Sequence, residues 1–138
     1  MCGIIGYYSS EKSYSLEEAI STIASRGPDD QNVCSLNKVR LGHTRLSIID
    51  IEAGAQPMTD NDNRYCIVFN GEIYNYVELR KELQNTGTSF ETNSDTEVIL
   101  KAYIVWGKKM VKRLDGIFAF AIYYNKRFYC DILNKLFH

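Results

Sequence analysis

A cysteine directly after the first methionine, Met1-Cys2, is a nucleophile that can carry its own base. Removal of Met1 would leave one residue with both a thiol and a free α-amine. A terminal α-amine titrates at about 7.7–8.0. Near neutral pH it can take the thiol proton directly or through a water, so no histidine is needed. The same residue also reads as an ordinary buried thiol in an edge strand. Asn70-Gly71-Glu72 follows an apolar run at residues 65–69. Asparagine and glycine at a strand end form a turn, or they offer a side-chain amide and an unhindered backbone N–H to one oxyanion. Loss of one such donor typically costs about 2.7–4 kcal/mol of barrier. Arg45, after Gly42-His43, is either a solvated surface residue or a planar fork for a carboxylate. Asp95 opens a predicted helix, where it complements the helix dipole or accepts from a substrate ammonium.

Other chemistries find less support. The cysteines at 2, 34, 66 and 130 form no Cys-x-x-Cys pair, and His43 and His138 lack metal-ligand spacing. Free thiols in a reducing compartment are therefore expected, and no metal site. Of the four, Cys2 alone would carry its own base. The net charge of −1, from 16 basic and 17 acidic residues, gives no basic patch for nucleic acid. No apolar run approaches the length of a membrane span, and the first residues lack the cationic region of a signal peptide. A cytoplasmic protein is expected.

These residues need elements to position them. The 138 residues, 45% apolar and 24% charged, suit one globular domain with a core of its own. Residues 3–8 read as a strand. Residues 15–25 read as a helix, with Leu16, Ala19, Ile20 and Ile23 at helical spacing and Ser15 with Glu18 as a capping box. The segment Arg26-Gly27-Pro28-Asp29-Asp30 breaks it. Strands follow at 33–36 and 39–49, a loop at 52–63, and a buried strand at 65–69. A helix is predicted at 76–85, with Asn75 and Glu78 as its cap pattern and Gly87 just past its end. Another starts after Ser94, with Glu97 at the capping-box position, and runs to Trp106-Gly107. Residues 117–123 alternate large and small, which gives a strand with a phenylalanine face and an alanine face. The class is α+β with mainly antiparallel sheets.

The motifs Met1-Cys2-Gly3-Ile4-Ile5-Gly6, Ser25-Arg26-Gly27-Pro28-Asp29, Gly42-His43-Thr44-Arg45-Leu46-Ser47-Ile48, Phe69-Asn70-Gly71-Glu72-Ile73-Tyr74-Asn75, Ser94-Asp95-Thr96-Glu97 and Leu114-Asp115-Gly116-Ile117-Phe118-Ala119-Phe120-Ala121 occur in that order. Together they resemble the class II, N-terminal-nucleophile glutamine amidotransferase domain, over residues 1 to about 124. Residues 45–57 and 69–80 look most like the glutamine-hydrolysing asparagine synthetases. The resemblance implies two antiparallel sheets sandwiched between helices, a four-layer αββα arrangement. It implies Cys2 as nucleophile, Asn70 and Gly71 as oxyanion donors, and Arg45 on the glutamine α-carboxylate. Asp95, with Glu72 beside it, would hold the α-ammonium. Leu46, Ser47 and Ile48 would line the pocket with backbone groups, and His43 and Arg26 would be supports, His43 as a satisfied core residue. The implied substrate is glutamine and the implied reaction is hydrolysis of its side-chain amide through a thioester.

Residues 125–138 do not match the family's continuation, so the domain is expected to be incomplete at its C-terminus, with residues after Asn125 fitting the sheet poorly. No Ser-Gly-Gly nucleotide motif or G-x-x-x-x-G-K-[ST] run is present. No cofactor is expected in this chain. ATP and magnesium would belong to a separate synthetase domain or subunit, which is the expected partner beside glutamine.

Overall fold

Alternation of inward and outward residues builds two antiparallel sheets in a computed structural model that describes residues 2–9, 15–46 and 54–125, with the backbone alone for 129–135. One sheet holds β1 (Gly3–Tyr8), β2 (Asp30–Leu36) and β3 (Val39–Arg45) in the order β1-β3-β2. The other holds β4 (Met58–Thr59), β5 (Tyr65–Ile73), β6 (Gly116–Tyr124) and β7 (Tyr129–Lys135), in that order. The helices are α1 (Leu16–Ser21), α2 (Tyr76–Asn85) and α3 (Asp95–Trp106). Among the described residues, no helix is long and apolar enough to cross a membrane.

The layers follow from which side chains each face presents. Leu16 and Ile20 of α1 settle over Gly42 of β3, on the outer face of the first sheet. Ile67, Phe69, Phe118 and Phe120 pack on Leu79, Leu83, Ile99 and Met110, which puts α2 and α3 on the outer face of the second sheet. Val39, Leu41, Cys66, Val68, Ala121 and Tyr123 fill the gap between the sheets. The expected α+β sandwich of helix, sheet, sheet and helix is what forms. The two faces of β6 divide as its alternation predicts, phenylalanines toward the helices and Ala121 toward the other sheet.

Local signals at the helix ends are partly borne out. Ser15 Oγ accepts from the Glu18 N–H at 3.2 Å, but α1 is shorter than residues 15–25. The chain turns through a 3₁₀ segment, Ala24–Arg26, because Gly27 must press against β3. A Cβ on Gly27 would overlap the Thr44–Arg45 backbone, and the Asp29 N–H donates to the Arg45 carbonyl at 3.0 Å. α2 has the predicted bounds. It ends in a Schellman motif, with Gly87 N–H on the Gln84 carbonyl at 2.9 Å and Thr88 N–H on the Leu83 carbonyl at 3.1 Å. Asn75, however, does not cap α2 with its side chain. Its amide donates to the Arg113 carbonyl and accepts from the Asp115 N–H, at 2.9 and 3.0 Å, which ties α2 to the start of β6. At α3, Ser94 Oγ accepts from the Glu97 N–H at 3.3 Å. The buried Glu97 carboxylate gathers the Glu91 and Thr92 N–H groups and so fastens the loop that leads into the helix.

Two expectations about the strands are corrected. The strand expected at 65–69 is longer: β5 runs through Asn70-Gly71-Glu72 to Ile73, paired with β6 from Tyr65↔Tyr124 to Ile73↔Gly116, so the alternative of a turn there falls. Nor, where they are described, do the residues after Asn125 fit the sheet poorly. The backbone of β7 pairs with β6 from Phe118↔Lys135 to Tyr124↔Tyr129, since an extended run beside an open strand edge satisfies backbone groups whatever its side chains. The predicted continuation of β3 through 47–49 lies outside the described residues.

Candidate active site

The site is built on the edge of β5. Its neighbour β4 pairs only at Met58↔Ile67 and Thr59↔Cys66. Further along, alternation directs the N–H groups of Phe69, Gly71 and Ile73 to that same edge, where among the described residues no strand meets them. Side chains replace the strand at either end. Gln56 Oε1 accepts from the Phe69 N–H at 2.6 Å, and Asp95 Oδ2 accepts from the Ile73 N–H at 3.3 Å. Gly71 stands between them and lines a cleft of about 560 Å³. Its φ is +147°, and a Cβ there would overlap the Ile117 carbonyl oxygen, so the position admits only glycine.

The opposite wall comes from the first sheet. The register Gly3↔Thr44, carried on by one residue, sets Cys2 beside Arg45. Cys2 Sγ accepts from the Leu46 N–H at 3.5 Å, and Arg26 Nε donates to the Cys2 carbonyl at 3.2 Å. Cys2, Arg45, Leu46, Asn70, Gly71, Glu72 and Asp95 all line the cleft. Ser47 and Ile48 lie outside the described residues. The expected supports Arg26 and His43 line it too, as do Gln56 and Thr96, which sequence reasoning missed. Gln56 sits in a stretch whose Gly, Pro and Asn content reads as loop, and only the register of β4 could have brought it to β5.

The electrostatics separate the walls. Burial pushes the Asp95 carboxyl up from the usual carboxylate range; the N–H groups of Ile73 and Thr96 oppose this, and the negative Glu72 adds to it. A carboxyl pair of this kind gains from an incoming cation. His43 is buried, and burial pushes its imidazole down to about 4 even though a bond to the Phe69 backbone favours the charged form. It is a core histidine as expected, yet its Nε2 is left without a partner among the described residues. Cys34 is a further thiol to reckon with. Its bond with the Cys66 thiol, assisted by Arg40 and opposed by burial, brings it down to about 7, but it packs between the sheets away from the cleft. Among the described residues, no group of His, Cys, Asp and Glu is placed to hold a metal ion.

A thiol, a planar cation, a pair of carboxyls and an amide beside a backbone N–H therefore surround one cavity. That set can take a zwitterionic amino acid and present the carbonyl of its side chain to a nucleophile. The sequence model of a family described as "glutamine amidotransferase domain" matches residues 1–132. The chain is 46% identical over 134 residues to asparagine synthetase [glutamine-hydrolyzing] 3 of Bacillus subtilis, covering 92% of this chain and 22% of that protein. It is 43% identical over 98 residues to asparagine synthetase B [glutamine-hydrolyzing] of Escherichia coli, covering 71% of this chain and 18% of that one. The chain thus spans about a fifth of the length of these relatives. Among solved structures, the glutamine phosphoribosylpyrophosphate amidotransferase from B. subtilis superposes with a TM-score of 0.53 at 27% identity, covering 64% of this chain and 21% of that chain.

Proposed function

Since the chain belongs to the glutamine amidotransferase domain family, we propose that it hydrolyses the side-chain amide of glutamine to glutamate and ammonia, as the ammonia-supplying half of asparagine synthesis. The observation that carries this reading is the convergence of Cys2, Arg45, Asn70, Gly71 and Asp95 on one cleft, although they come from separate strands and a helix start.

In the proposed reaction, the α-amine of Cys2, free once Met1 is removed, takes the thiol proton. Sγ then attacks the side-chain carbonyl carbon of glutamine. The negative charge that develops on the oxygen is met by the Asn70 amide and the Gly71 N–H. The tetrahedral species collapses, the C–N bond breaks, and the amine returns its proton to the leaving nitrogen as ammonia departs. Water attacks the remaining thioester with the amine as base, which releases glutamate and restores the thiol. Arg45 holds the α-carboxylate of glutamine by its planar fork. Asp95, with Glu72, holds the α-ammonium. Leu46 contributes backbone groups to the pocket, a role the family resemblance also implies for Ser47 and Ile48. Relatives that are several times longer support a synthetase domain or subunit as partner, where ATP and magnesium would act. The setting proposed is the cytoplasm.

The test is glutamate release from glutamine by the purified chain, with N-terminal mass to show that Met1 has been removed. Release should require the processed terminus and vanish in Cys2→Ala. Equal turnover by protein that retains Met1 would sink the amine as base. A glutamine-like electrophile should label Cys2, with glutamine protecting it. Cys34 should react with a small alkylating agent near pH 7, and glutamine should not protect it.

A further inference from the structure

We propose that Gln56 is a positioning residue that fixes the spacing between the oxyanion arm and the ammonium arm of the glutamine site, an inference that rests on the amidase reading above. Its side chain is buried and bonded at both ends. Oε1 accepts from the Phe69 N–H at 2.6 Å, and Nε2 donates to Thr96 Oγ1 at 3.2 Å. Each partner is the sequence neighbour of a site residue. Phe69 precedes Asn70 and Gly71, and Thr96 follows Asp95. One amide therefore spans from the strand that offers the oxyanion donors to the helix start that offers the carboxylate.

The register accounts for a glutamine at this position. β4 sets Met58 opposite Ile67; continued backward, the same antiparallel register sets Gln56 opposite Phe69. Pro57, between them, has no N–H to add to a ladder. The Gln56 side chain takes the place of the missing strand. A primary amide suits both tasks, since its oxygen accepts from the strand N–H while its nitrogen donates to the threonine hydroxyl. An aliphatic side chain would leave the Phe69 N–H buried and unsatisfied, which the fold would relieve by moving the strand. Displacement of about 1 Å at a reacting centre can cost on the order of a hundredfold in rate, so the distance that Gln56 holds matters to the chemistry as well as to the fold.

Steady-state glutamate release by the full chain with Met1 removed tests this through two variants. Gln56→Met releases both arms. It should lower kcat about tenfold or more and raise KM for glutamine several-fold. Thr96→Val releases the helix end alone. It should raise KM several-fold with kcat nearly kept, because the helix start loses its tie to Gln56 and Asp95 is held to β5 by the Ile73 N–H alone, while the Asn70–Gly71 strand stays anchored. Unchanged kcat and KM in a folded Gln56→Met chain would overturn the proposal. So would a fall in kcat in both variants, without a rise in KM, that merely tracks lost thermal stability. Should Gln56→Met fail to fold, Thr96→Val decides alone, supporting the proposal by a rise in KM at kept kcat and overturning it by an unchanged KM. A wild-type chain that releases no glutamate is a different result, and it would overturn the amidase reading itself.

Discussion

The two faces of the β5–β6 pair are packed to opposite ends. Toward α2 and α3 they present Ile67, Phe69, Phe118, Phe120 and Ile122, all essentially without solvent contact and backed by large helix side chains. Toward the first sheet they present Cys66, Val68 and Ala121, and then Asn70, Ala119 and Ile117 as the gap widens into the cleft. The facing strand β3 grades in the same direction, from Val39 and Leu41 to His43 and Arg45. Full burial of a large apolar side chain contributes about 1.5–3 kcal/mol, so the helix-facing layer holds the fold. The inter-sheet layer is apolar at one end only, and at the other it keeps polar groups whose burial opposes folding. Stability and chemistry thus occupy opposite sides of the same strands.

The sharpest way to break that division is a pair of substitutions. Cys2→Ala should abolish glutaminase activity and leave the urea midpoint where it was. Phe120→Ala should cost about 3–5 kcal/mol of stability, read from urea unfolding with intrinsic fluorescence. A loss below about 1 kcal/mol at Phe120 would show that the helix-facing layer is not what holds the sheet. Asn70→Ala comes next. It should lower kcat by about 10²–10³ with little change in KM, and steady-state kinetics on a variant with wild-type circular dichroism would check it.

A smaller effect separates the layers by pH. The His43 imidazole titrates near 6.5 when unfolded and is held down to about 4 when folded. Between those values the unfolded chain binds the extra proton. The contribution is therefore fully present above about pH 6.5 and is lost as pH falls toward 4, by roughly 3 kcal/mol. Asp95, raised by burial, acts in the opposite sense, so the comparison to make is wild type against His43→Gln. Urea midpoints at pH 7 and pH 4 should converge in the variant relative to wild type, and an unchanged pH slope would remove His43 from the account. The smallest effect expected is at Arg45. Arg45→Lys should raise KM for glutamine about tenfold, the order of one charge-assisted hydrogen bond, because an ammonium cannot reproduce the planar fork. A folded variant with unchanged KM would take Arg45 out of the carboxylate subsite.

The legible parts of the molecule were those that local pattern encodes. Alternation at residues 117–123 placed β6 and both its faces, and the bounds of α2 followed from a cap pattern at its start and a glycine just past its end. The ordered motifs named candidate site residues, and the described ones meet in one cleft. Boundaries were less legible. Residues 70–72 look like a turn because asparagine and glycine favour turns, yet pairing with β6 keeps them extended. Asn75 looks like a helix cap, yet its amide binds the Arg113 and Asp115 backbone.

The sequence by itself determined which residues are chemically able and which faces are apolar, because both are properties of residue type and short-range period. Tertiary structure alone decided where polar groups find partners. That Gln56 reaches Phe69, that Asp95 reaches Ile73, that the Cys34 thiol is brought down by Cys66, and that a buried His43 nitrogen has no partner among the described residues all depend on elements far apart in the chain. Hydrogen bonds and charges act over a few ångströms in space, whereas a sequence pattern reports only neighbours along the chain.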